Sequence, residues 1–99
     1  MADNQALAGK VAIVTGSGKN IGKAIAQALA RDGAAVVVNG RGDRAIVEET
    51  ANEIRAAGGR ALPYMADVSQ PEAVAAMVDA AVTEFGGVDI AVGNAGLRR

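Results

Sequence analysis

The sequence predicts an α/β fold, a doubly wound parallel sheet, and three observations predict it. Four short apolar runs, centred on Val11-Ala12-Ile13-Val14, on Ala35-Val36-Val37-Val38, and within residues 60–66 and 88–92, lack the alternation of a half-exposed strand. Such runs suit strands covered on both faces. Between them lie three stretches with helical spacing of apolar residues, and glycines punctuate the boundaries. A β-α-β-α-β-α-β alternation with right-handed crossovers gives, most simply, strand order 3-2-1-4.

Taken in order, residues 1–9 carry no periodic signal and read as a loosely held lead-in. The first strand covers residues 11–15. The helix beginning near Asn20 has Ile21, Ala24, Ile25, Ala28 and Leu29 at the spacing of one inward stripe, and Gly33 ends it. A second strand over residues 35–39 leads into the polar turn Gly40-Arg41-Gly42-Asp43. Asp43 is the expected N-cap of a helix reaching Ala57, with Ile46, Val47, Thr50 and Ile54 inward and Gly58-Gly59 stopping it. Pro63 in the third strand, residues 60–66, predicts a short strand near an edge. Ser69 and Glu72 have the spacing of a capping box, with Pro71 in the first turn, ahead of a face of Val74, Met77, Val78, Ala81, Val82 and Phe85. Gly86-Gly87 closes that helix, residues 88–92 form the fourth strand, and Gly93-Asn94-Ala95-Gly96 turns after it.

Composition excludes several functions. The chain has 99 residues, enough for one domain or part of one. A formal charge of −1, with both signs interspersed, and 2% aromatic residues leave no basic face and no stacking platform, which argues against nucleic acid. Without cysteine or histidine the chain can form no disulfide, no thiolate or imidazole metal site, and no Ser-His-Asp or Cys-His arrangement. No basic start followed by an apolar block, and no apolar run of membrane-spanning length, is present. The expectation is a cytoplasmic protein with no membrane partner.

The chemistry concentrates where the first strand turns into the first helix. In order 3-2-1-4 the winding reverses between strands 1 and 4, so the turns after them sit side by side at a ligand-binding crevice. Gly16 and Gly18 permit positive φ and close backbone approach, and the helix start near Asn20 offers free N–H groups and a positive dipole end to an anion. A Walker A loop does not fit. Ile13 stands where its first glycine belongs ahead of Gly18-Lys19, and Asn20 where its Ser or Thr belongs; Gly22-Lys23 meets Ser17 and Ala24 there. The G-x-G-x-x-G fingerprint meets Ile21 in place of its third glycine.

What fits is Thr15-Gly16, three residues, Asn20 in the next place, Ile21 and Gly22. This resembles the cofactor motif of the short-chain dehydrogenase/reductase family: Thr-Gly, three variable residues, Gly, one residue, Gly. Asp67-Val68 resembles the family's adenine-contacting pair, and Gly93-Asn94-Ala95-Gly96 its Asn-Asn-Ala-Gly turn. The general style is similar to bacterial 3-oxoacyl-carrier-protein reductases and related sugar or alcohol dehydrogenases. The resemblance implies a Rossmann-type fold, NAD(P)-dependent interconversion of an alcohol and a ketone by hydride transfer, a small-molecule carbonyl or alcohol substrate, and a homo-oligomer. It also implies a cofactor site made of Gly16, Ser17, Gly18, Lys19, Asn20, Ile21, Gly22, Asp67, Val68, Asn94, Ala95 and Gly96, to which charge adds Arg41. Asn20 departs from the family's middle glycine; it tolerates left-handed geometry and is a good N-cap, so the departure bears on affinity more than on the fold. Gly93 replaces the first Asn of the second turn, whose structural hydrogen bonds fall chiefly to the residue matching Asn94.

Charge predicts which dinucleotide binds. An NAD site needs a carboxylate at the end of the second strand for the ribose 2′-hydroxyl, which would repel a 2′-phosphate. Gly40 holds that place, Arg41 follows it and Lys19 lies in the phosphate turn, so NADP is expected, with NAD the alternative. No catalytic residue is expected here. The family's proton relay resembles a Tyr-x-x-x-Lys pair with a serine, whereas Tyr64, the one tyrosine, has Val68 four places on and lies in the third strand, where packing is its expected role. Residues 1–99 therefore read as the dinucleotide-binding portion of a single Rossmann domain. Its expected partner is a C-terminal remainder or companion chain, without which it is inactive and its fourth strand is an uncovered apolar edge. The alternatives are a stand-alone nucleotide-binding module and an inactive truncated fragment.

Overall fold

The computed structural model describes residues 5–94. Its elements are β1 (Val11–Val14), α1 (Asn20–Arg31), β2 (Ala35–Gly40), α2 (Arg44–Ala56), β3 (Arg60–Met65), α3 (Pro71–Phe85) and β4 (Ile90–Val92). All pairings are parallel and the order is β3-β2-β1-β4. Val14 lies opposite Val38 on one side and Val92 on the other, so the strands finish level and the loops that follow them share one edge.

The non-alternating strands owe their composition to helices on both faces. On one face Val14, Val36 and Val38 pack with Ala26 of α1 and Val47, Ala51 and Ile54 of α2. On the other, Val11, Ile13, Ala35 and Val37 pack with Met77 and Ala81 of α3. Each fully buried Val or Ile contributes on the order of 1.5–3 kcal/mol of transfer free energy, which makes the two central strands the anchor of the sheet. Asp43 caps α2, its Oδ1 accepting from the N–H groups of Ala45 at 3.0 Å and Ile46 at 3.4 Å. Gly86 ends α3 in the left-handed conformation at φ 94°.

Several local expectations change. The buried stripe of α1 is one residue along from the predicted one: Gly22 and Ala26 are buried, Ile25, Leu29 and Ala30 join the core, and Ile21 is 70% exposed. The helix turns this way because Gly22 alone lets it press on β1's exit. The capping box does not form. The cap position of α3 is Gln70, one residue too late for Ser69, whose hydroxyl instead donates to Asp67 Oδ1 at 2.7 Å. Val82 is 47% exposed instead of inward. β3 is an edge strand, as Pro63 predicts, but it is not short: all six residues pair with β2, Pro63 opposite Val38, since an edge strand has a side on which no N–H is required. β4 is shorter than predicted. Ahead of it Asp89 clamps β1, its Oδ2 accepting from the Val11 N–H at 2.9 Å and its N–H donating to the Val11 carbonyl at 2.8 Å. The described part of the lead-in is held, with Leu7 against the core and its N–H on the Asp32 carbonyl at 2.7 Å. Among the described residues no helix is long and apolar enough to cross a membrane.

Candidate functional site

The turn from β1 into α1 is shaped by two left-handed residues, Gly16 at φ 64° and Asn20 at φ 61°. Asn20 thus takes the backbone role open to asparagine, while α1 starts from an extended Lys19 with no side-chain cap. The Lys23 N–H bonds the Lys19 carbonyl at 3.3 Å, so the N–H groups of residues 20–22 precede that first helical bond and are open to an anion. Gly22 is required by contact. A Cβ there would run into the Gly16 carbonyl oxygen and lie 2.8 Å from Asn94 Nδ2.

Buried polar side chains hold this turn against β2 and α2. Ser17 is fully buried; its hydroxyl donates to the Val14 carbonyl at 2.6 Å and accepts the Asn39 N–H at 2.9 Å. Ser17 is therefore in the predicted stretch, but its side chain is spent inside the protein. Asn39, at the end of β2, accepts the Gly16 N–H on Oδ1 at 3.1 Å and donates from Nδ2 to the carbonyls of Tyr64 and Ala66, both at 3.2 Å. Thr50 of α2 donates to the Gly18 carbonyl at 2.6 Å. Asn39 and Thr50 were not among the predicted site residues. The readable signal was polarity at positions that the apolar pattern buries, since a buried polar group must find a partner.

From the other side the turn after β4 grips the same backbone. The Asn94 N–H donates to Thr15 Oγ1 at 3.0 Å and Asn94 Nδ2 to the Gly16 carbonyl at 3.2 Å, while the Thr15 N–H bonds the Val92 carbonyl at 3.0 Å. Ala95 and Gly96 lie outside the described residues. At the opposite flank Arg41 reaches Asp67 at 3.6 Å, with their side chains 70% and 38% exposed. Asp67 Oδ1 also accepts the Ser69 N–H at 2.9 Å. The Ser69 hydroxyl and N–H together, with a smaller contribution from Arg41, hold the Asp67 carboxyl below its ordinary pKa. Val68 packs partly buried against the α3 core, as does Tyr64. Lys19 is exposed and makes no ion pair among the described residues. The strand order thus brings Gly16–Gly22, Arg41, Asp67 and Asn94 to one edge of the sheet. A cavity of about 590 Å³ at the other edge, between the ends of α1 and α2, touches none of them. No group of three metal-ligating side chains occurs among the described residues.

Residues 10–99 match the family model described as short chain dehydrogenase. The chain belongs to the short chain dehydrogenase family. It is 52% identical over 91 residues to an uncharacterized oxidoreductase of Methylorubrum extorquens, covering 92% of this chain and 37% of that protein. It is 48% identical over 95 residues to a versicolorin reductase of Emericella nidulans, covering 96% of this chain and 36% of the relative. Among solved structures it is similar to a hydroxysteroid dehydrogenase from Escherichia coli, with a TM-score of 0.88 at 40% identity over 95% of this chain and 40% of the other. The chain therefore spans little more than a third of these short chain dehydrogenases. The family binds nicotinamide dinucleotides, and a tight glycine turn at the start of a helix has the donor chemistry that suits a pyrophosphate.

Proposed function

We propose that this chain is the NADP-binding portion, a single incomplete Rossmann domain, of a cytoplasmic oxidoreductase that interconverts an alcohol and a ketone. The observation that carries the reading is the cradle itself, in which Gly22 sits against the Gly16 carbonyl and Asn94 ties that carbonyl to the turn after β4. Residues 20–22 offer N–H groups to the pyrophosphate, Asp67 and Val68 flank the adenine, and Asn94, Ala95 and Gly96 shape the nicotinamide end. Gly16 and Gly18 let the backbone come close, and Ile21, exposed beside them, is an apolar surface for the bound cofactor. When bound, the dinucleotide supplies or accepts the hydride.

The preference for NADP over NAD rests on charge. Gly40 brings no carboxylate to the ribose 2′ position, Arg41 follows it directly, and Lys19 lies in the glycine turn after β1. The Arg41 pair with Asp67 is exposed and weak, so it yields readily to a phosphate. Nothing here serves the proton half of the reaction, since Tyr64 has no lysine four residues on and lies partly buried against the core. That half belongs to a C-terminal remainder or companion chain, which also selects the small-molecule substrate within a homo-oligomer. Titration of the full-length protein with NADPH and NADH tests the reading. Arg41→Ala should weaken NADPH by about 1–3 kcal/mol, as loss of a charged hydrogen bond does, and leave NADH nearly unchanged. An unchanged ratio defeats the charge argument, and failure of both dinucleotides to bind defeats the function.

A further inference from the structure

We infer that Val47 of α2 is a specificity-determining residue for the 2′ end of the dinucleotide, because its Cγ2 methyl fills the space that any side chain at position 40 would need. The inference rests on the dinucleotide reading and adds to it why the end of β2 is glycine. Gly40 is the last residue of β2, opposite Met65, and it does not have a positive φ. Its φ is therefore not one that reserves the place for glycine. What forbids a side chain is contact: a Cβ at position 40 collides with Val47 Cγ2.

That methyl has little room to withdraw. Val47 is 2% exposed, one turn into α2, with its N–H on the Asp43 carbonyl at 3.3 Å. A β-branched side chain in a helix keeps one strongly preferred rotamer. The same Cγ2 lies 3.3 Å from where a Cβ on Gly18 would stand, so one methyl bounds both the phosphate turn and the end of the neighbouring strand. Core packing on α2 thereby acts on cofactor choice. An aspartate at position 40 would accept hydrogen bonds from a ribose 2′-hydroxyl and repel a 2′-phosphate, and Val47 keeps it out. Arg41 is then the first side chain after β2 to meet whatever occupies the 2′ position.

The test is a substitution cycle in the full-length protein, read by thermal melting and by direct fluorescence titration with NADPH and NADH. Gly40→Ala should lower the melting temperature, and adding Val47→Ala should raise it again although Val47→Ala alone lowers it. Gly40→Asp together with Val47→Ala should shift the NADH-to-NADPH affinity ratio toward NADH by about tenfold or more, the scale of one charged hydrogen bond. Gly40→Asp alone should lose stability and bind both dinucleotides poorly. If Gly40→Asp alone melts like the parent and prefers NADH, Val47 excludes nothing and the inference fails. It fails equally if the two alanine substitutions lower stability additively, a result that stands even where the aspartate variant does not fold. A parent protein that already binds NADH as tightly as NADPH overturns the NADP reading, and the melting cycle still decides for or against Val47.

Discussion

The two flanks of β1 are built differently. Toward β2 and α2 the glycine turn after β1 is interlocked by fully buried side chains, Ser17, Asn39 and Thr50, whose hydrogen bonds cross from β1 to β2, β3 and α2. Toward β4 it is joined by three strand residues, the Thr15 and Asn94 contacts, and an outer edge along which Ala91 is exposed and Ile90 and Val92 are half-buried. A buried hydrogen-bonded network admits few alternative arrangements, whereas an open edge strand specifies little about what lies beyond it. The flank toward β2 and α2 is thus fixed by its own buried side chains, whereas the β4 flank is fixed chiefly by backbone pairing and the Thr15 and Asn94 contacts.

Breaking the interlocked flank should have the largest effect. Asn39→Leu would strand the Gly16 N–H and the carbonyls of Tyr64 and Ala66. With each buried orphan costing about 1–3 kcal/mol, the expected loss is about 4 kcal/mol by urea unfolding. A loss below about 1 kcal/mol would mean that water replaces the side chain and that the interlock is not what holds the turn. Gly22→Ala comes next. Alanine gains about 1 kcal/mol of helix propensity, but its Cβ meets the Gly16 carbonyl, so a net cost of about 2 kcal/mol and weakened dinucleotide binding are expected.

A site away from both flanks should respond weakly. Val82→Asp on the exposed part of α3 should change the stability of this 99-residue chain by about 0.5 kcal/mol or less. A loss of several kcal/mol would show that this face is covered in solution, for instance by a second copy. The smallest effect concerns Asp67. Because its pKa is lowered in the folded state, its contribution is present above the ordinary carboxylate value of 3.8 and is lost as pH falls through the lowered one. Carboxyl-carbon NMR should show Ser69→Ala raising that pKa toward 3.8 and Arg41→Ala raising it less. The reverse order would make the Arg41 pair, and not the Ser69 turn, the main influence at this flank.

Legibility followed the range of each interaction. The glycine turn could be read because Gly16 permits left-handed φ and Asn20 tolerates it, although Gly18, given the same freedom by its type, does not have a positive φ; Asp43 could be read as a cap because its partners are two and three residues away. The inward face of α1 could not. Alanines at positions 24, 26, 28 and 30 make neighbouring stripes nearly equal in hydropathy, and the choice fell to the contact between Gly22 and Gly16. The Ser69 and Glu72 spacing failed as a capping box because the carboxylate of Asp67 took the serine first.

By itself the sequence determined the order of elements, the strand order β3-β2-β1-β4, and the place of the glycine turn between β1 and α1, because these depend on local periodicity, backbone freedom at glycine and the handedness of crossovers. Only the tertiary structure decided that Ser17 turns inward, that Asn39 links three strands, and that Val47 lies against Gly40. Those facts depend on pairs distant along the chain meeting within a few ångströms, and no local pattern of residue types encodes which methyl or amide arrives first.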